Sequence, residues 1–427
     1  MNHAEQRSLA VLDAKMTATT RKRPKVPSAI FMLGPAFVAA IAYVDPGNVA
    51  ANLTSGAKYG YLLVWVLVAA NIMAMLIQYQ SAKLGVVTGK SLPELLGERF
   101  GTAGRRAYWL QAELVAMATD LAEVVGGAIA LNLLFHVPLP VAGLIVGLVS
   151  MAMLMVQNRR GQRTFESLII FLLAIITIGF LAGLVLSPPD PAGVAGGLLP
   201  RFDGSDSVLL AASMLGATVM PHAIYLHSAL ARDRHTTARD TPELLHATVK
   251  ATRWDVVAAL LLAGAVNIGM LLLAASTLGG VEGTDSIEGA HAAIVATLGP
   301  VIGVVFAVGL LASGLASTSV GCYAGATIMG GLLKIKLPLL TRRVVSLIPA
   351  LALLTFGVDA TWALVISQVV LSFGIPFALI PLLRLTSNKA LMGIHRDGVP
   401  LRIAALVSVA LVVALNAVLL YLTLTGS

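Results

Sequence analysis

The sequence predicts an all-α integral membrane protein with two inverted five-helix repeats and an eleventh helix outside them. Of 427 residues, 57% are hydrophobic and only 12% charged, against roughly 25% charged in a soluble globular chain. The apolar residues fall into runs that approach the roughly 20 residues needed to cross a bilayer as a helix. Two of these runs are interrupted by proline beside polar side chains, at Asp45-Pro46-Gly47-Asn48 and at Met220-Pro221-His222. Lipid offers no hydrogen-bond partners, so the spans must be helices.

In chain order the spans are 29–57, 61–86, 107–135, 140–157, 166–187, 207–230, 254–279, 292–331, 343–358, 361–383 and 402–424. The fourth and ninth are short, and the eighth is long enough to contain extra helix. Residues 1–27 form a polar, basic tail without a small-residue cleavage site, which reads as a cytoplasmic segment and not a signal peptide. With the N-terminus inside, 27 of the 29 Lys and Arg residues fall on cytoplasmic segments, leaving Lys58 and Arg201 outside. That asymmetry sets the N-terminus in and the C-terminus out, as for a multi-pass protein of the inner (plasma) membrane. It also accounts for the net charge of +8 without nucleic acid as a partner. Of the external loops, 188–206 is proline-rich, and 280–291 carries Glu282, Asp285 and Glu288. The single Cys322 excludes an internal disulfide.

Five helices separate the two breaks, so the halves enter from opposite sides. The single transmembrane domain, 28–427, then divides into a first repeat at 28–187, an inverted second repeat at 207–384 and an extra helix at 402–424. In such repeats a substrate sits at the midplane between discontinuous helices. A proline alone is tolerated as a kink, but both breaks here carry ligand-type side chains. Asp45 is costly at bilayer depth, and such a carboxylate normally faces a cavity, an ion or a partner. Asn48, three residues on, offers a neutral oxygen to the same ion. Met220 adds a thioether. Methionine is more often filler than ligand, but its place at the second break favours the ligand role, and a mixed oxygen and sulfur set points to Mn²⁺, Fe²⁺ or a similar ion over Mg²⁺ and Ca²⁺.

Glu113, Asp120 and Glu123 on the third span are spaced to share one helix face. They read as a proton path, as a salt-bridge face with Arg342 and Arg343, or as both; Glu113 is the weakest of the three. His222 follows the second break and suits metal or protons. His227 is either a proton carrier or a hydrogen-bonded structural residue. The other histidines sit at span edges or in loops and read as solvent-exposed. Gln78, Asn267 and Gln368 are amides of the kind that bond helices together; Gln368, near Ser372 and Gly374-Ile375-Pro376, is also placed to reach the ion. The small-residue run Ser313 to Ser319 reads as close helix packing. No phosphate-binding loop is present in the sequence, so ATP is not the evident energy source.

Asp45-Pro46-Gly47-Asn48 and Met220-Pro221-His222 resemble the two signature motifs of the Nramp divalent metal transporters. The likeness extends through Met117-Ala118-Thr119-Asp120-Leu121-Ala122-Glu123 and Ser367-Gln368-Val369-Val370-Leu371-Ser372-Phe373-Gly374. It implies a LeuT-type fold and a metal held by Asp45, Asn48 and Met220, with the carbonyls of Ala42 and Ala217 and the Gln368 amide contributing in some states. It also implies a proton route from Asp45 and His222 past Asp120 and Glu123 toward Arg342 and Arg343. The expected function is import of Mn²⁺ and Fe²⁺ with protons by alternating access, by a functional monomer in the bilayer, without covalent chemistry, cofactor or ATP. A sodium-coupled amino-acid symporter on the same architecture is disfavoured because Asp45 would repel a substrate carboxylate. A metal sensor or an uncoupled channel is disfavoured because breaks in both repeats suit moving gates.

Overall fold

The computed structural model describes residues 34–425 apart from 282, 285, 336 and 337; the basic tail and the loop acids Glu282 and Asp285 lie outside the described residues. Among the described residues every regular element is helical. The α-helices are α1 (Pro35–Ile41), α2 (Pro46–Tyr59), α3 (Val64–Thr88), α4 (Leu92–Arg99), α5 (Thr102–Phe135), α6 (Leu139–Arg160), α7 (Gln162–Leu186), α8 (Pro191–Gly197) and α9 (Gly204–Thr218). They continue as α10 (Pro221–Arg234), α11 (Pro242–Thr277), α12 (Ile287–Leu298), α13 (Pro300–Leu333), α14 (Leu339–Phe356), α15 (Ala360–Thr386), α16 (Lys389–Met392) and α17 (Val399–Thr425).

Among the described residues eight helices, counting Gly204–Arg234 as one, are long and apolar enough to cross a membrane by themselves. The expected spans at 29–57 and 140–157 contain the shorter apolar helices Pro35–Val44 and Leu139–Met155. The first is cut short by its break. The expected span at 343–358 overlaps α14, whose early Arg342 and Arg343 lower its apolar character. The long run at 292–331 divides into α12 and α13 at Gly299, whose φ of 94° suits glycine, with Pro300 opening the next helix.

Close backbone contact holds the centre. A Cβ on Gly314 of α13 would lie 2.8 Å from the Cα of Gly127 on α5, and one on Gly179 of α7 would lie 2.6 Å from the Cα of Gly309 on α13. Small residues let helices approach where lipid gives them no hydrophobic drive to associate.

The first break lies between α1, which tightens into a 3₁₀ turn over Ala42–Val44, and α2, which begins at Pro46. Two carbonyls next to it are satisfied from other helices. Asn267 Nδ2 on α11 donates to the Tyr43 carbonyl at 2.6 Å, and Ser313 Oγ on α13 donates to the Val44 carbonyl at 2.5 Å. The start of α1 is held by Asp255 of α11, whose carboxylate accepts the Gly34 and Ala36 amides at 3.0 Å each.

The last helix is tied in as well. Asn416 of α17 and Ser372 of α15 exchange two hydrogen bonds, at 2.7 and 2.9 Å, in a buried contact. Because Ser313 satisfies a backbone carbonyl at the break, Ser313→Ala is expected to lower stability by about 1–3 kcal/mol, the cost of a buried unpaired acceptor. Ser317→Ala, which removes only a hydroxyl bonded to its own helix, should stay within about 0.5 kcal/mol. Unfolding of the detergent-solubilised protein, followed side by side for the two variants, checks the difference.

Candidate metal site

Asp45 sits in extended backbone (φ −74°, ψ 167°) as the N-cap of α2, with Pro46 in the first helical position. Proline there sets the backbone angle and surrenders an amide that would lack a helical partner anyway. The Asp45 carboxylate accepts the Asn48 backbone N–H at 2.7 Å and Asn48 Nδ2 at 2.8 Å, so the cap fixes both side chains at once. At the second break, Val219 ends α9 and Met220 stands in extended backbone before Pro221 opens α10.

A single amide links the two breaks: Asn48 Nδ2 also donates to the Ala217 carbonyl at 3.0 Å. From α15, Gln368 Nε2 lies 3.4 Å from Asp45 Oδ2. The approach of α15 requires glycine on both sides. A Cβ on Gly47 would collide with the Gln368 side chain, and one on Gly216 would collide with its backbone carbonyl. Ala42, Asp45, Asn48, Ala217, Met220 and Gln368 are all fully buried.

Two acceptors in this cluster, Asn48 Oδ1 and Gln368 Oε1, take no hydrogen bond from the protein. Buried acceptors are ordinarily satisfied, so these two amide oxygens are available to a cation. Among the described residues no three His, Cys, Asp or Glu side chains group as metal ligands. The contacts therefore gather one carboxylate, two side-chain amides and the Ala217 carbonyl, with Met220 buried at the second break. A cavity of about 440 Å³ opens at the Lys58 end of α2, lined by Thr54, Lys58, Asp206, Asp359, Thr361 and Val365. Val365 lies one helical turn before Gln368.

The acid stripe on α5 is placed beside this cluster. Gly126 packs its backbone against the Pro46 ring, and Glu123 is one turn earlier. Glu123 and Asp120 are both buried and both meet Gly321 of α13, where a Cβ would lie 2.8 Å from Glu123 Oε2 and 3.2 Å from Asp120 Oδ1. Arg343 of α14 is 3.7 Å from Asp120 Oδ1 and donates through Nε to Ser150 Oγ at 2.9 Å. Arg342 reaches Glu113 Oε1 at 2.5 Å. Asp120 and Glu113 thus have the salt-bridge character the sequence allowed, while Glu123 makes no ion pair among the described residues.

The two histidines of α10 face different helices. His222 Nδ1 is 3.4 Å from Thr119 Oγ1 on α5. His227 Nδ1 is 2.7 Å from Gln78 Oε1 on α3, and Gln78 Nε2 donates to the Tyr43 hydroxyl, two residues before Asp45.

Several residues here escaped the sequence reading. Tyr43 and Ser313 carry no distinguishing pattern. Asp255 sits near basic residues and reads as part of a polar helix end. Lys83 counts as a loop cation in the charge tally but is buried, bonded to Asp397, whose other oxygen accepts Gln80 Nε2 at 2.7 Å. Asn416 had a signal, a lone amide in an apolar run, of the kind that singled out Asn267.

Residues 36–422 match the family described as natural resistance-associated macrophage protein-like. The chain is 58% identical over 404 residues to a divalent metal cation transporter of Mycobacterium tuberculosis, covering 95% of this chain and 94% of that relative. It is 45% identical over 420 residues to the divalent metal cation transporter of Bacillus subtilis, covering 97% of this chain and 96% of the relative. Among solved structures, the manganese transporter of Eremococcus coleocola superposes with a TM-score of 0.83 at 31% identity, covering 94% of this chain and 89% of that one. A transporter of the nucleobase-cation-symport-1 family, at 16% identity and a TM-score of 0.58, shares the fold alone.

The Asp120 and Arg343 pair yields a stability prediction. Arg343→Leu leaves a buried carboxylate without its counter-charge and is expected to cost about 3–5 kcal/mol, whereas the double variant Asp120→Leu, Arg343→Leu should recover most of that loss. A double-mutant cycle on unfolding in detergent checks it; additive losses would mean the two side chains do not interact.

Proposed function

This chain belongs to the Nramp family, and on that premise we propose that it imports divalent transition metal ions, Mn²⁺ and Fe²⁺, together with protons by alternating access. The observation that carries the proposal is the Asn48 amide bridging Asp45 to the Ala217 carbonyl, because it makes one ligand cluster out of two broken helices. The Asp45 carboxylate supplies the charge, and Asn48 Oδ1 and Gln368 Oε1 supply neutral oxygens that the protein leaves free. The carbonyls of Ala42 and Ala217 complete a hard oxygen set, and the Met220 thioether penalises Mg²⁺ and Ca²⁺ relative to softer ions. No covalent step, cofactor or ATP enters the cycle.

For a cation to reach Asp45, the Asn48 amide that now donates to Asp45 and Ala217 must turn its oxygen toward the ion, since an NH₂ group cannot ligate a metal. Loading therefore breaks the link between α2 and α9. Release of that link lets the half-helices move, which is how discontinuous helices support alternating access. Protons leave by the acid stripe. Glu123, which makes no ion pair among the described residues and lies one turn from the Pro46 contact, receives them from the Asp45 side, and Asp120, Arg343, Glu113 and Arg342 extend the path toward the cytoplasm. His222 adds a second contact to the α5 face through Thr119, while His227, Gln78 and Tyr43 form a hydrogen-bonded chain on the inner side of the site. The working unit is a monomer in the plasma membrane, with the N-terminus cytoplasmic and the C-terminus outside.

Uptake into proteoliposomes tests this reading. Wild type is expected to accumulate Mn²⁺ faster when the outside is acidic, and Asp45→Ala to lose uptake at least about tenfold, the equivalent of about 1.4 kcal/mol. Met220→Ala should retain Mn²⁺ uptake but admit Ca²⁺. Normal Mn²⁺ uptake by Asp45→Ala would overturn the site, unchanged discrimination in Met220→Ala the selectivity argument, and indifference to pH the symport.

A further inference from the structure

A second cavity, of about 380 Å³, lies between α3, α9 and α17. Its walls include Ala69, Met73, Ala211, Leu215, Leu415 and Val418, and it runs from the Lys58 end of these helices toward the depth of Ala217. Its mouth has a different chemistry. Trp65 and Phe202 meet edge-on there, with ring centroids 5.4 Å apart, and Trp65 Nε1 donates to the Arg201 carbonyl at 3.3 Å. Aromatic rings of this kind mark the level of lipid headgroups. Phe202 at the mouth, and Leu198 and Leu199 shortly before it in the chain, are exposed, as expected of a segment dipping into the interface.

In the proposed topology Arg201 and Lys58 are the two Lys and Arg residues on the outer side. Arg201 is exposed and, among the described residues, makes no ion pair. A guanidinium without a protein partner, held by its backbone at the rim of an apolar groove, matches a molecule with an anionic head and a hydrocarbon tail.

We propose that this groove binds an anionic phospholipid of the outer leaflet, one acyl chain lying between α3, α9 and α17 and the phosphate group at Arg201. The groove wall formed by Ala211 and Leu215 belongs to the half-helix that ends at Ala217. The bound chain therefore supports the outer half of the second break against α17, which is anchored on α15 by Asn416. The leaflet follows from the proposed orientation; the site itself does not depend on the transport reading.

Lipid retention, measured by mass spectrometry of the intact protein released from detergent, tests it without any transport assay. The purified protein is incubated with equal amounts of phosphatidylglycerol and phosphatidylcholine. Wild type is expected to retain phosphatidylglycerol in preference by about fivefold, the effect of one basic residue near an anionic lipid. Arg201→Gln should erase that preference while still binding lipid, and Ala414→Trp, which fills the groove, should retain neither. Ala69→Phe, which blocks the same groove from α3, replaces Ala414→Trp if the latter does not fold. Equal retention of the two lipids by wild type, an unchanged preference in Arg201→Gln, or full retention in a folded groove-filling variant each overturns the proposal.

Discussion

A helix broken inside a membrane frees backbone groups that lipid cannot satisfy, and the centre of this protein is organised around supplying them. Beside Asp45, the Tyr43 and Val44 carbonyls are met by Asn267 from α11 and Ser313 from α13. The Ala217 carbonyl at the second break is met by Asn48 from the first. Each of these donors comes from a different helix, so the break determines which helices must surround it and at what distance. The glycines at 47 and 216 follow from the same demand, because α15 brings Gln368 against both of them. A residue that satisfies the backbone here is a residue that shapes the site.

This is also why the cluster at the two breaks was easier to read in the sequence than the groups that surround it. Asp45, Asn48 and Met220 announced themselves by being polar, or sulfur-bearing, beside a proline in an apolar run, and Gln368 by being an amide within an apolar run of the second repeat; the structure brings Asp45, Asn48 and Gln368 into direct contact. The supporting donors were harder to see. Ser313 lies within a run of small residues whose composition is explained by packing, and that reading is correct for Gly314 but incomplete for its neighbour. Asp255 could not be read as the cap of α1, since it comes from 219 residues away in the chain. Capping patterns are local in sequence, and this cap is not. The division between α12 and α13 was legible only as an over-long run with room for extra helix, because Gly299-Pro300 interrupts the helix without interrupting the apolar run.

Charge played two roles that counting alone merges. The asymmetry of Lys and Arg predicts an orientation, yet Lys83, Arg342 and Arg343 within that tally are buried and partnered by Asp397, Glu113 and Asp120. A buried pair contributes little net stability, but losing one partner is expensive. Such pairs at helix ends act less as glue than as constraints, permitting only those movements in which both charges travel together or remain solvated. Arg343 is the strictest case, being fully buried and bonded to α6 through Ser150 as well as to α5 through Asp120.

The proposed metal site has one carboxylate, and this bears on coupling. A divalent ion beside Asp45 leaves a net positive charge in surroundings where charges are weakly screened. The nearest means of balance is the stripe of Asp120 and Glu123, which Gly126 presses against Pro46. Under the proposed function, a proton carried by Glu123 and an ion at Asp45 repel one another, so the arrival of one favours the departure of the other. Under the proposed function, the coupling of metal to protons then needs no shared ligand. It needs a site short of negative charge, and acids close enough to supply it, which is what the packing of α5 against the first break provides.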